Sequence, residues 1–328
     1  MKSGAIIGIV LVMTAWICQA AGSGADGDQL DVVRLRPNFY VIAGAGGNIG
    51  VQIGDEGVVL VDAGTKEASR AVVAEIKKLS NQPIRYILNT GADADHVGGN
   101  AEVSKSGQTI FPLGTGARAE MTKAMTGGGA SILAHEDVLA RMGEAAGKST
   151  AFPSDGWPTE TYYHKRKYIY FNHEGIEILH LAAAHSSADS AFFFRISDVV
   201  MAGDVLDKTR FPVIDLQHGG SIQGEIDALN KLIELAIPPG PFPFEPGGTY
   251  IVPGHGRVCD QADVVDYRDM VVIIRDVIRD MMSRGMTLDQ IKAASPAKPY
   301  AQQYGLDPTW KTNDFVEAVY KSLAAAKK

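Results

Sequence analysis

The sequence predicts an α/β protein built from two stacked β-sheets covered on the outside by helices. Three observations predict it. Short apolar runs separated by Gly-rich turns open the chain. A helical run then crosses to a further strand, and a second set of closely spaced apolar runs follows before a helical tail. Meander, crossover and second meander are the pattern of layered sheets with helices on their outer faces.

The elements follow in order. "NFYVIAG", "IGVQIG" and "VVLVDAG" read as three strands, joined by turns at Gly46-Gly47-Asn48 and Asp55-Glu56-Gly57. Such spacing implies an antiparallel meander. "KEASRAVVAEIKKL" carries Val72, Val73, Ile76 and Leu79 at helical spacing, and Pro83 precedes the next strand, "IRYILNT". A helix is expected after Asn100, then a short strand from Thr109 to Pro112. Residues 113–166 mix Gly- and Pro-rich stretches with one helix around Glu136–Met142 and read as an insertion over one face. "KYIYFN", "IEILHLA", "AFFFRI" and "DVVMAGDVL" read as four strands, "LNKLIELAI" as a helix and "TYIVPGHG" as a strand ending in a loop. The tail from Asp263 is helical, broken near Pro296.

The 328 residues, 45% hydrophobic and 21% charged, are enough for a sizeable core. A net charge of −7 argues against nucleic acid as a partner, because a phosphate backbone needs a basic face. The N-terminus has a Lys2, an apolar run over residues 5–17, and Cys18 and Ala20 at the −3 and −1 positions of a cleavage site after residue 20. That is the grammar of a signal peptide. The apolar run is shorter than the ~20 residues of a membrane span. The expected organisation is a signal peptide at 1–20, a flexible segment at 21–32, a main domain at 33–260 with its insertion, and a helical extension at 261–328. The expected location is periplasmic or secreted, with no stable membrane anchor after cleavage. The mature chain keeps one cysteine, Cys259, which cannot form an internal disulfide and reads as a small buried hydrophobe.

Several strands end in residues fit to bind a metal. Asp62 closes "VVLVD"; Asp93, Asp95 and His96 follow "YILNT"; His185 follows "IEILHLAAA"; Asp204 closes "VVMAGD"; His255 follows "YIVPG". Imidazoles with carboxylates suit a divalent metal of zinc type, with iron or manganese compatible as oxygen ligands increase. A metal there activates water near neutral pH, with a neighbouring carboxylate to take the proton. Any one of these residues has a plain structural reading as a turn, cap or core residue; it is their order that points to a site. His135, His164, His173, His180 and His218 read as surface or core residues, with His135 and His218 the nearest to facing a cleft.

The ordered set "VVLVDAG", "NTGADADHVGGN", "AAAHSSADS", "MAGDVL" and "VPGHG" resembles the metallo-β-lactamase superfamily over about residues 33–260. The resemblance implies an αββα sandwich of two mixed β-sheets flanked by helices, with the metal site at one sheet edge. The family's His-x-His-x-Asp-His run appears here with Gly91 and Asp93 in place of its first two histidines. Carried over, one metal pocket is complete in Asp95, His96, His255 and Asp204. The other is reduced to Asp93, His185 and Asp204. Asp62 matches the buried acid that supports the metal loop.

The implied cofactor is zinc: one ion in the complete pocket is the leading expectation, and two the next. Asp95, Asp93 and His185 are the expected catalytic groups. The expected activity is that of an exported metal-dependent hydrolase acting on a small-molecule ester, lactam, thioester or phosphoester. The alternative is a non-catalytic, metal-poor binding protein on a degraded scaffold. Lys208 and Arg210 are candidates for a substrate anion, and Trp157 for an apolar wall.

Overall fold

The computed structural model describes residues 30–110, 116, 121, 128–144, 152–240 and 247–326. Its first sheet runs in the order β1 (Asp31–Arg36), β2 (Phe39–Ala45), β3 (Gly47–Gly54), β4 (Gly57–Val61), β5 (Ile84–Leu88), β6 (Ser131–His135) and β7 (Glu160–Tyr162). Strands β1 to β4 are antiparallel; β4 to β7 are parallel. The second sheet runs from β8 (Arg166–Phe171) through β9 (Glu174–His180), β10 (Ser190–Phe194) and β11 (Val199–Asp207) to β12 (Tyr250–His255). Only its β11–β12 pair is parallel. Both sheets are mixed, as the family resemblance implies.

The period-2 alternation of side chains sorts each strand between two apolar layers. Phe39, Val41, Val59, Val61, Leu88 and Leu133 of the first sheet meet Ile176, Ile178, Phe192, Phe194 and Met201 of the second. On the far side of the first sheet, Ile42, Leu60 and Ile87 pack on Val72, Val73 and Ile76 of α1 (Ser69–Leu79). Strand β4 is buried throughout because both its faces are covered, which is why it reads as an unbroken apolar run. The outer face of the second sheet carries α5 (Ile222–Leu235), α6 (Gln261–Ser283), α7 (Leu288–Ala294) and α9 (Thr312–Ala325), with Ile226, Leu229, Tyr267, Val271, Ile274, Phe315 and Val319 in one cluster. The helical tail therefore packs on the sheet itself, joined by the short α8 (Ala301–Tyr304), whose Tyr304 meets Phe211 and Tyr267. Cys259 is buried in the same cluster, where burial pushes its thiol up to about 12.

The structure corrects several sequence expectations. Residues 31–32, read as flexible, belong to β1. The expected strand from Thr109 to Pro112 is absent at residues 109 and 110, while 111–112 lie outside the described residues. The segment read as an insertion supplies β6 and β7 to the first sheet. Strand β6, "SILAH", is buried at every position, so it shows no alternation and runs directly into α4 (Glu136–Glu144). A short apolar run of that kind has no period to tell strand from helix. The proposed signal sequence lies outside the described residues. No helix among the described residues is long and apolar enough to cross a membrane.

Candidate metal centre

Two parallel strands of the first sheet and three segments of the second deliver their polar residues to the same end of the sandwich. Asp62, directly after β4, has a left-handed backbone (φ 65°), which is uncommon for a non-glycine residue. It is held there by what its buried carboxylate accepts: the Thr90 N–H at 2.8 Å, the Thr90 hydroxyl at 2.7 Å and Nδ1–H of His96 at 2.8 Å. The loop after β5 is fastened at its base by mutual Asn89–Asn100 amide bonds of 3.2 and 2.9 Å. It then forms the one-turn α2 (Ala94–Val97), which presents Asp95 and His96. The helix α3 (Asn100–Lys105) carries the chain away. Ser190 N–H donates to Thr90 O at 2.7 Å and ties this loop to the second sheet.

His96 presents Nε2 because Asp62 occupies its other ring nitrogen, the arrangement that fixes an imidazole as a metal ligand. That Nε2 lies 3.1 Å from Asp204 Oδ1. Nε2 of His255 lies 3.2 Å from Asp95 Oδ2 and 3.4 Å from Asp204 Oδ1, yet it makes a hydrogen bond with neither and is buried. Donor atoms of Asp95, His96 and His255 lie within 4.8 Å of one another. Two glycines permit this closeness: a Cβ on Gly47 would sit 2.9 Å from His96 Cε1, and one on Gly254 would run into the Asp204 carboxylate. Two imidazoles and two carboxylates, one ring nitrogen buried without a partner, are the donor type and number a divalent metal of zinc type takes.

The neighbouring group, Asp93, His185 and Asp204, also has donor atoms within 4.8 Å. His185 gives Nδ1–H to Val213 O at 2.7 Å and faces Asp93 Oδ2 with Nε2 at 3.1 Å. Gly91 contributes nothing: the side chain absent there would have entered space bordered by Asp189 Oδ1 at 3.9 Å and Asp93 Oδ2 at 4.0 Å from its Cβ. Asp93 is also occupied on its other oxygen, Oδ1, by the Arg141 guanidinium at 3.2 Å. This group fits a metal less well, since its one non-shared carboxylate is committed to two cationic partners.

The charges of the site hold one another. Burial works against the imidazolium of His96, but Asp204 and Asp62 outweigh it and keep the ring well above its ordinary value. Burial likewise opposes charge on His185, and the hydrogen bond to Asp93 with the charges of Asp189 and Asp204 raises it to about 10. Burial would raise Asp93, but His185 and Arg141 hold it at about 2. Asp204, fully buried, is held far below the carboxylate range by His96, His185 and His255 against the effect of burial. Burial pushes Asp189 up to about 6 despite His185 and its bonds from Ser186.

The other expected residues are placed as follows. Lys208 reaches the Tyr304 hydroxyl (3.3 Å) and Asp263 (3.7 Å), and Arg210 pairs with Asp207 and Asp307, so both brace the tail instead of facing the cleft. Trp157 packs with Phe152 against Ala92, Val97, Val138 and Met142, and so supports the loop carrying Asp93, Asp95 and His96 from behind. His218 pairs with Asp215. His135 stacks on His180 (3.6 Å, 13° between planes). With Asp137 they form a third group of potential ligands, but stacked rings do not aim their in-plane lone pairs at one point. His173 pairs with the exposed Asp55, and His164 lies on the surface beside Tyr163. Sequence reasoning missed Arg141, Asp189 and Glu225. Glu225, on α5, is fully buried with both oxygens unpartnered, and burial drives its carboxyl well above the usual range. A basic residue on an amphipathic helix carries no signal of its own; Asp189 stood inside the "AAAHSSADS" run.

A cleft of about 660 Å³ opens from Asp93 and His185 along residues 213–217 to Thr309, Trp310 and Lys321 of the tail.

No curated protein matches the chain in sequence. Among solved structures, the metallo-beta-lactamase from Pontibacter korlensis superposes with a TM-score of 0.53 at 15% identity, covering 74% of this chain and 99% of that one. The stereoselective inverting sec-alkylsulfatase Pisa1 from Pseudomonas sp. gives 0.59 at 15% identity, covering 89% of this chain and 50% of its own length. The DIM-1 metallo-beta-lactamase gives 0.51 at 13% identity, covering 74% and 97%. At these identities the likeness is one of fold. The family model of the metallo-beta-lactamase superfamily matches residues 42–255, well over half the chain. With the two mixed sheets, their helical covers and the strand ends that bear carboxylates and imidazoles, this places the chain in the metallo-beta-lactamase superfamily.

Proposed function

We propose that the chain is a metal-dependent hydrolase that holds one divalent ion of zinc type between Asp95, His96, Asp204 and His255. The observation that carries this reading is the buried His255 Nε2, which has no hydrogen-bond partner although two carboxylate oxygens lie within 3.4 Å. A buried polar atom left unmade is costly, and a bound cation removes that cost. When bound, such an ion supplies Lewis-acid polarisation and activates water near neutral pH.

The chain's own groups do the rest. Asp62 orients His96 so that its Nε2 faces Asp204 Oδ1. Asp95 takes up the proton that an attacking water must lose. Asp93 and His185, 3.1 Å apart, can hold and deliver a proton to a leaving group at the mouth of the cleft. The cleft joins these groups to a wall containing Trp310, which suits a small molecule with an apolar portion. Esters, thioesters, lactams, phosphoesters and sulfate esters share the need for an activated water, and the neighbours of like fold include β-lactamases and an alkylsulfatase. A fold does not choose among them. The signal-peptide grammar of residues 1–20 supports export to the periplasm or beyond.

The test is elemental analysis of the purified protein with a hydrolysis panel of ester, thioester, β-lactam, phosphodiester and sulfate-ester substrates. One metal per chain is expected, with turnover of at least one class lost on chelation and restored by zinc. Protein that holds no stoichiometric metal after addition of zinc, iron or manganese would overturn the reading and favour a non-catalytic binder.

A further inference from the structure

We propose that the β2–β3 turn, Gly46-Gly47-Asn48, aligns the two halves of the metal centre, and that Asn48 is the positioning residue that fixes His255. The inference rests on the one-metal hydrolase reading and adds to it the residue by which the first sheet sets the ligand geometry of the second.

The four ligands come from different layers. Asp95 and His96 follow β5 of the first sheet, whereas Asp204 lies on β11 and His255 ends β12 of the second. Asp62 holds His96 by its ring. His255 is less well specified by its own sheet. Strand β12 is the edge strand there, and its pairing with β11 shifts register twice on the way to His255. A ladder interrupted in this way does not by itself fix where the last side chain points.

Asn48 supplies what the ladder lacks. Its side-chain NH2 donates to Pro253 O and to Gly256 O, each at 2.9 Å. These carbonyls lie two residues before His255 and one after it, so a single carboxamide grips the chain on both sides of the ligand. From the β11 side, Lys208 N–H donates to His255 O at 3.1 Å. Only the NH2 end of an amide can face two carbonyl oxygens, and both of its hydrogens are used. Asn48 is 6% exposed, so bonds lost here would leave buried carbonyls without donors.

The same turn meets the other ligands residue by residue. A Cβ on Gly46 would sit 2.9 Å from Asp95 Cβ, and one on Gly47 would sit 2.9 Å from His96 Cε1. Gly46 therefore backs Asp95, Gly47 backs His96 and Asn48 holds His255. The turn is itself seated. Thr65 N–H donates to Ala45 O at 2.7 Å, and β3 pairs with β4, the strand that leads to Asp62.

The experiment measures zinc affinity, by competition with a chromophoric chelator, in the full-length wild type, N48A, N48L, H255A and the N48A/H255A double variant. N48L fills the space of the asparagine and donates nothing. The visible spectrum of the cobalt(II)-loaded wild type and N48A is recorded alongside. Expected is a loss of zinc affinity of roughly 10–100-fold in N48A and N48L, the range of outer-shell partners of metal-ligating histidines, and an altered cobalt(II) ligand-field spectrum. In the H255A background, N48A should change affinity by less than about twofold, because a residue that acts through His255 has nothing left to act on. Unchanged zinc affinity in a folded N48A or N48L, identical cobalt spectra, or a full further loss on top of H255A would overturn the assignment of Asn48. A wild type with no zinc would sink the hydrolase reading first and this one with it. One zinc bound equally well by wild type and N48A would sink only the role of Asn48. If neither N48A nor N48L folds, the decision passes to the metal-free wild type, where the Asn48 side-chain N–H protons should exchange slowly with solvent by NMR; rapid exchange there overturns the inference.

Discussion

Two groups of potential ligands share Asp204 and stand side by side, yet they are built differently. Asp95, His96 and His255 have one ring nitrogen fixed from behind by Asp62 and another left without a partner. Asp93 and His185 are engaged with each other, with Val213 O and with Arg141. Both groups carry imidazoles raised by neighbouring carboxylates, but the first keeps a buried ring nitrogen, His255 Nε2, without a hydrogen bond, whereas both oxygens of Asp93 are taken by His185 and Arg141. The lesson is that donor type and spacing do not by themselves make a metal site. The partners already satisfied decide it.

The sharpest way to break this comparison is to remove one imidazole from each side. H255A should lose stoichiometric zinc, with affinity falling by more than about 100-fold, beyond the range of an outer-shell change. H185A should retain one zinc, and equal loss of metal in both would erase the distinction. Elemental analysis after dialysis reads the difference.

A smaller effect is expected from D62N, which keeps the shape of the Asp62 side chain but removes the charge that orients His96. Zinc affinity should fall roughly 10–100-fold, as for other outer-shell partners of metal-ligating histidines. An unchanged calorimetric affinity would show that the Asp62–His96 bond at 2.8 Å does not set the ligand geometry.

The mildest test is pH. Asp93 is held at about 2, below its ordinary 3.8, so its contribution to stability is present above pH 3.8 and lost as pH falls toward 2. His185 is raised to about 10 from 6.5, so its contribution is complete below pH 6.5 and lost as pH rises through 10. Metal-free protein should therefore melt highest between pH 3.8 and 6.5. His96 and His255 are also raised, His96 mainly by Asp204 and Asp62 and His255 by Asp95 and Asp204, each against burial. Zinc must displace their protons, so the gain in melting temperature on adding zinc should be larger at about pH 8 than at about pH 6. A gain independent of pH would mean that the metal displaces no protons from these imidazoles.

The legibility of the molecule divides along the same physical line. Strands β2 to β5 and β8 to β12 could be read because their ends carry turn residues and their apolar runs have strand length. Strand β6 was hidden by uniform burial and by the helix that follows it. Strand β7, three residues long, carries too little pattern to show a period. Lys208 and Arg210 looked like anion binders because they follow Asp204 closely, but Asp263 of α6 and Tyr304 of α8 take up Lys208, while Asp207 at the end of β11 and Asp307, just after α8, take up Arg210.

The sequence by itself determined the two-sheet architecture, the strand ends that bear carboxylates and imidazoles, and the vacancy at Gly91. Those are properties of local pattern: period, turn chemistry and residue type. Tertiary structure alone decided which of those side chains face one another, that Asp62 holds His96, that Asp189 borders the space at Gly91, and that Arg141 reaches Asp93 across 48 positions of chain. Such contacts depend on how layers stack and helices seat, and a one-dimensional pattern does not record the distance between residues that never neighbour one another along the chain.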